Sequence, residues 1–276
     1  MTLEELLEGV VLPIDKPRQW TSFQAVGKVR AVIRNHYGIK KFKIGHAGTL
    51  DPLATGLLLV CVGKATKRID ELQSGEKVYS GTMVLGATTP CFDLERPIDH
   101  YYPFAHITPQ LISDTLPQFT GNIQQVPPMF SAVKINGQRA YQYARQGNTS
   151  DESVSAVDTP LPTPKEVHVA QFEITDFRPG DPDRQVTDAE LEATASVPTE
   201  LHHRYNNPLG VVPDHLPQLD FRIRCGKGTY IRSIARDLGL ALDSGAFLAS
   251  LRREQIGNYT IRQAIAPDQV EQFLLQ

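Results

Sequence analysis

The chain holds only three cysteines in 276 residues: Cys61, Cys91 and Cys225. They are far apart and odd in number, which argues against a disulfide framework or a four-thiolate zinc site; buried free thiols are the expectation. No run of eighteen or more apolar residues occurs, so no membrane-spanning helix is expected. The opening MTLEELLEGV is acidic, with no basic segment followed by an apolar one. It therefore does not read as a secretory leader, and the cytoplasm is the expected compartment. Internal repeats and low-complexity tracts are also missing. An excess of positive charge is missing too: the net charge is −3, which at first argues against a nucleic-acid ligand.

The distribution of charge changes that reading. Residues 151–220 hold 14 acidic and four basic side chains, a local charge of −10, so the remainder carries +7. One acidic segment masks a moderately basic body that is able to face phosphates. Hydrophobic residues make up 41% and charged residues 21%, ordinary for a globular protein with a sizeable core.

Apolar periodicity outlines the elements. Val10 to Ile14 reads as a strand ended by Asp15-Lys16-Pro17. Thr21 or Ser22 can cap a helix in which Phe23, Val26, Val29 and Ile33 recur at helical spacing and which Gly38 closes. Leu57 to Val62 is a continuous apolar strand, buried on both faces. Ala65–Leu72 reads as a short amphipathic helix, and Val78–Leu85 as an alternating strand ended by Gly86. Thr108 and Pro109 open a helix expected to run to Phe119. Tyr141 to Gln146 has weak helical character. Val167–Phe177 and Leu219–Arg224 read as strands. Ile231–Leu242 reads as a helix with Ile234, Ala235, Leu238 and Leu242 on one face. From Arg178 to Gln218 the pattern fails, and a connection that long is usually functional or disordered. Strands and helices mix without regular βαβ alternation, so the expected class is α+β with a largely antiparallel sheet.

The densest chemical signal is Gly45-His46-Ala47-Gly48-Thr49-Leu50-Asp51-Pro52-Leu53-Ala54-Thr55-Gly56, followed by the buried strand. Three glycines and one proline make a shaped loop, and Pro52 holds Asp51 extended. A carboxylate fixed there suits a nucleophile or base, although an isolated Asp-Pro more often caps a turn. Gly63-Lys64-Ala65-Thr66 superficially suggests a phosphate loop. Its spacing from Gly56 is too long, and alanine follows the lysine. Lys64, Lys67 and Arg68 read equally well as phosphate contacts or as a solvated face.

GHAGTLDPLATGLLLVCVGKATK resembles the signature loop of the TruB family of pseudouridine synthases. Further segments agree in order: VLPIDKPRQWTS, EKVYSGTMVLGATT, FTGNIQQVPPMFSAVKINGQRAYQYARQG, CGKGTYIRSIARDLG and GAFLASLRREQIGNY. The resemblance covers roughly two-thirds of the chain, far more than a lone short motif. It implies a pseudouridine synthase fold and isomerisation of a flipped-out uridine in the T arm of tRNA, position 55, with no cofactor and no metal.

By the same resemblance Asp51 is the catalytic carboxylate, acting on either base or sugar. Tyr79 stacks on the uracil and its hydroxyl can serve proton transfer from C5. Arg232 pairs with Asp51 and keeps it ionised. Tyr230 and Leu251 line the base, His46 contacts RNA beside it, and Lys16 supports the loop and counts among the substrate-binding positions. The implied partner is tRNA through its T-arm stem-loop, and the implied state is a monomer.

The chain departs from the family in three places. The Lys-Pro turn reads Lys16-Pro17-Arg18-Gln19, without the usual glycine. About two dozen residues follow Leu251, too few for the usual C-terminal PUA-like RNA-binding domain, so residues 1–276 are expected to form one catalytic domain. That domain carries the family's RNA-facing insertion at about 121–147; the third departure is an acidic insertion at about 179–217, longer than the family connection and expected to face away from phosphates.

Two other readings compete. An RNA-remodelling module would not need Asp51, Tyr79 and Arg232 together. An aspartate-nucleophile hydrolase would want a second acid near Asp51, where Pro52-Leu53 stand instead.

Overall fold

The computed structural model describes residues 1–131, 134–135, 138–139, 162–184 and 212–275. The chain divides into two units: Met1–Ser80 with Arg222–Lys227 and Ser250–Gln276, and Gly81–Phe221 with Gly228–Ala249.

In the first unit, α1 (Leu3–Gly9) is begun by a capping box between Thr2 and Glu5. β1 (Val10–Lys16) leads through the Lys-Pro turn to α2 (Ser22–Tyr37). Thr21 caps α2 reciprocally with Gln24, and Gly38 ends it in the left-handed region at φ 66°. This is the helix expected from periodicity, with Val26, Val29 and Ile33 buried alongside Ala25, but Phe23, expected on the same face, is 75% exposed. β2 (Ile44–Ala47) and β3 (Thr55–Val62) follow. Leu57 through Val62 are all fully buried, as a strand covered on both faces requires. Leu57, Leu59 and Cys61 join Ala47, Leu72 and Ile256 in one cluster, where each buried leucine contributes about 2 kcal/mol.

A 3-10 turn (Gly63–Arg68) and the short α3 (Ile69–Ser74) replace the single helix expected over Ala65–Leu72. Gly63, at φ 61°, meets the Leu7 carbonyl so closely that a Cβ there would lie 2.3 Å from it, which fixes the start of the turn. β4 (Lys77–Leu85) comes next, and its first residues belong to this unit.

In the second unit β4 ends at Gly86, φ 84°, before the two-residue strands β5 (Ala87–Thr88) and β6 (His100–Tyr101). α4 (Pro109–Thr115) has Thr108 as N-cap and Pro109 at its first position, as expected, but stops early. Leu116–Phe119 is a 3-10 turn, because Pro117 lacks the N–H that an α-helix would use there. β7 (Gly121–Gln125) and the small hairpin β8 (Lys134–Ile135) and β9 (Gln138–Arg139) occupy the described part of the 121–147 insertion. The helical character read over Tyr141–Gln146 lies outside the described residues.

β10 (Lys165–Arg178) and β11 (Gln218–Cys225) flank the acidic connection. The Asp181 amide donates to the His215 carbonyl at 2.8 Å, and Arg184 pairs with Asp214, so the two arms of that connection meet at a neck. Residues 185–211 lie outside the described residues. α5 (Ile231–Ala241) buries Ile234, Ala235 and Leu238, and its C-cap Leu242, expected on the same face, is buried with them. Phe172 packs edge-on against Phe119 and Phe221.

The long strand β12 (Ala246–Ile256), the short β13 (Tyr259–Thr260) and the helix α6 (Val270–Leu275) close the chain. The strand order is β1–β3–β12–β4–β11 in the first unit and β12–β4–β11–β10–β7 in the second. β1, β2 and β13 pair antiparallel with their neighbours, whereas β12 runs parallel to β3. The class is α+β with a mixed, mostly antiparallel sheet. All three thiols are free and buried, and burial pushes that of Cys61 up to about 11. No helix among the described residues is long and apolar enough to cross a membrane.

Candidate active site

The loop carrying Asp51 joins β2 to β3, which pair antiparallel from Ile44↔Val62 to Ala47↔Leu59. β12 uses the other end of the same β3 edge, with Arg252↔Thr55 and Arg253↔Gly56 in parallel register. The loop therefore leaves the sheet where one neighbour of β3 gives way to the next. Gly48 and Gly56 adopt φ 92° and 97°, conformations that side chains resist. A Cβ on Gly56 would also lie 2.4 Å from the Arg253 carbonyl oxygen.

Main-chain groups on both sides of Asp51 are held. Ser22 Oγ donates to the Leu50 carbonyl at 3.1 Å and accepts from the Leu50 amide at 2.9 Å. The Gln19 amide donates to the Pro52 carbonyl at 2.8 Å. Lys16 is fully buried, and its Nζ donates to the carbonyls of Trp20 at 2.5 Å, Pro17 at 3.0 Å and Pro52 at 3.2 Å. This is the geometry of loop support. The Ala54 amide closes a turn onto the Asp51 carbonyl at 3.1 Å.

Arg253 completes the frame and was not singled out by sequence reasoning. Its side chain is buried. Nε donates to the Leu57 carbonyl at 2.8 Å, Nη2 to Gly48 at 2.9 Å and Nη1 to Thr49 at 3.4 Å. A planar guanidinium is suited to gripping several carbonyls at once. The adjacent Arg252 points to the opposite face of β12 and forms a two-pronged ion pair with Asp15, at 2.7 and 3.1 Å. Two consecutive arginines in a strand must face opposite sides. That alternation was the available clue, but it required β12 to be recognised as a strand.

Tyr79 projects from β4 and is buried. Burial pushes its phenol pKa up, the charge of Arg253 pulls it down, and the Asp51 carboxylate raises it. Leu251 shares the face of Arg253 on β12 and is half-buried. His46 lies on β2, paired with Val60. Desolvation and then Arg253 hold its pKa below the ordinary value, which favours a neutral ring. Asp51, Tyr79, His46, Lys16, Leu251 and Arg253 all belong to the first unit. A cavity of about 620 Å³ beside Lys16 is lined by Asp15, Trp20, Thr55 and Arg252. It includes neither Asp51 nor Tyr79.

Tyr230 and Arg232 belong to the second unit. Tyr230 is the N-cap of α5, and the Gln125 amide brackets it: Tyr230 N donates to Oε1 at 2.7 Å, and Nε2 donates to the Tyr230 carbonyl at 3.1 Å. Arg232 is buried at the start of α5, where the helix dipole opposes a cation. It donates to the carbonyls of Phe130 at 2.9 Å and Cys91 at 3.1 Å. Its Nε lies 3.7 Å from Asp93 Oδ2. Asp93 is itself buried and accepts from the Glu95 amide at 2.9 Å and from the Cys91 thiol at 3.0 Å. Gln125 and Asp93, like Ser22, carried no chemical signal in the sequence.

Lys64 and Arg68 pair with Glu8 and Glu71, while Lys67 is exposed beside them.

Residues 34–199 match the N-terminal domain of the TruB family of pseudouridylate synthases. A tRNA pseudouridine synthase B of Flavobacterium johnsoniae is 46% identical over 266 residues, 96% of each chain. The chain belongs to the TruB family. Its similarity to tRNA pseudouridine synthase B of Phocaeicola vulgatus is 41% over 269 residues, covering 98% of this chain and 94% of that one. Among solved structures, a chain in a Cbf5–Nop10–Gar1 complex superimposes with a TM-score of 0.60 at 23% identity. That alignment takes in 100% of this chain and 57% of the other, so this TruB-family chain spans just over half of that protein. At such identity the likeness concerns the fold, which is that of the pseudouridine synthases.

Proposed function

We propose that the protein isomerises uridine to pseudouridine in tRNA, at position 55 of the T arm, with Asp51 as the catalytic carboxylate. The observation that carries this reading is the frame around Asp51. Main-chain carbonyls before and after it are held by the side chains of Lys16, Ser22 and Arg253 and by the Gln19 amide, so the carboxylate sits on a preorganised loop. Tyr79 feels the charge of that carboxylate from a buried position.

The target uridine must leave the RNA stack to meet these groups. Asp51 acts on the base or the sugar as the C1′–N1 bond breaks. The base turns, a C1′–C5 bond forms, C5 loses its proton and N1 gains one. Tyr79 stacks on the uracil, and its hydroxyl accepts or relays the C5 proton. Arg232 serves the catalytic carboxylate as its cationic partner, an assignment that rests on the family resemblance. His46, Tyr230 and Leu251 line the nucleotide, with Lys16 beneath the loop. No cofactor or metal takes part. The working form is a monomer, and the compartment is the cytoplasm.

The test is tritium release from a T-arm stem-loop carrying 5-tritiated uridine. Wild-type protein releases tritium with or without chelator, and Asp51→Asn does not. Tyr79→Phe keeps RNA affinity and loses about a hundredfold or more in rate. RNA binding without release by the wild type would leave an RNA-remodelling protein instead, and release dependent on a divalent metal would contradict the mechanism.

A further inference from the structure

Residues 16–43 contain eight lysines and arginines and no acidic residue. Most of this segment is α2, whose buried positions Ser22, Ala25, Val26, Val29 and Ile33 define its inner face. At 100° per residue, Phe23, Gly27, Arg30 and Arg34 line up along one outer side of the helix. All four are exposed, and Phe23 is 75% exposed, the highest value among the exposed large hydrophobics of the described residues.

Gly27 is the informative member. Glycine is a poor helix former, and here it sits mid-helix. A Cβ at this position would meet nothing within 4 Å. Neither the backbone nor the packing of the protein calls for a glycine there, and its effect is a smooth place on the outside of the helix. The stripe is also fixed to the catalytic loop. Ser22, next to Phe23, holds both main-chain groups of Leu50, the neighbour of Asp51.

We infer that this side of α2 is an RNA-docking surface outside the catalytic pocket. Phe23 stacks on a base, Gly27 lets the sugar-phosphate backbone approach the helix, and Arg30 and Arg34 neutralise its phosphates. The inference rests on the proposed function for the identity of the RNA. Positive charge without any acidic neighbour in the segment selects a polyanion, and the exposed aromatic ring selects one that carries bases.

The experiment measures binding of a fluorescent T-arm stem-loop across a salt series, together with thermal midpoint and tritium release at saturating RNA. Gly27→Gln raises the thermal midpoint, because the helix improves, yet weakens RNA binding. Phe23→Ala weakens binding by about fivefold or more. Arg30→Gln with Arg34→Gln lowers the salt slope by about one to two. All variants keep the wild-type rate at saturation. Wild-type affinity and salt slope in Gly27→Gln and the double variant would overturn the surface while leaving the isomerase reading intact. Weakened binding in a protein whose wild type releases no tritium would uphold the surface and overturn the activity.

Discussion

Ser22 and Leu50, 28 residues apart in sequence, are joined twice: the serine hydroxyl donates to the leucine carbonyl and accepts from its amide. One small buried side chain thus ties the first turn of α2 to the residue before Asp51. Ser22→Ala removes both bonds and leaves two main-chain groups unsatisfied, a cost of about 2 kcal/mol. The expected outcome is a modestly lower thermal midpoint and a fall in kcat larger than any rise in KM. An unchanged kcat would show that the loop needs no such anchor.

Arg253 holds three carbonyls from a buried position. Arg253→Met strands those acceptors and costs about 3 kcal/mol of stability by denaturant titration. Arg253→Lys restores charge but not the planar fork, so it recovers only part of the stability and little of the activity. Full rescue by lysine would mean that charge, rather than geometry, is what the loop requires.

In the second unit, Asp93→Asn removes the buried carboxylate beside Arg232. Breaking a buried pair from one side costs about 3 kcal/mol. A lower thermal midpoint is expected together with loss of tritium release, since the guanidinium loses a group that orients it. Normal release would indicate that the carbonyls of Cys91 and Phe130 suffice.

Lys77 supplies a pH signature. Burial, then the charge of Arg253, lowers its pKa from 10.5 to about 8. Between those values the unfolded chain binds more protons than the folded one, so stability contributed by this group rises with pH from about 8 to 10.5. Below pH 8 both states are protonated and the contribution is a constant penalty. Lys77→Met therefore flattens the stability profile over that window. An identical slope in wild type and variant would place the titration elsewhere.

Much of this molecule was legible from sequence, for identifiable reasons. Thr21 and Gly38 bound α2 because capping and left-handed geometry are local properties. Leu57–Val62 announced a doubly covered strand because nothing polar interrupts it. The helix over Ala65–Leu72 is instead a 3-10 turn that starts at Gly63, packed against the Leu7 carbonyl, followed by α3 from Ile69; that packing is a tertiary contact that periodicity does not carry. β12 escaped because Arg252, Arg253 and Glu254 look like a solvated run, and only the partners Asp15 and the loop carbonyls reveal their two faces. Asp51 and Tyr79 stood out through family resemblance. Arg253, Ser22 and Asp93 did not, because their roles are contacts made across tens to hundreds of residues.

The tethers of the loop that carries Asp51 grip carbonyls and amides at Gly48, Thr49, Leu50 and Pro52. None of them uses the side chains of Thr49 or Leu53. The loop's trajectory is thereby decoupled from the chemical character of those two residues. Exchanging either side chain leaves every one of these tethers in place.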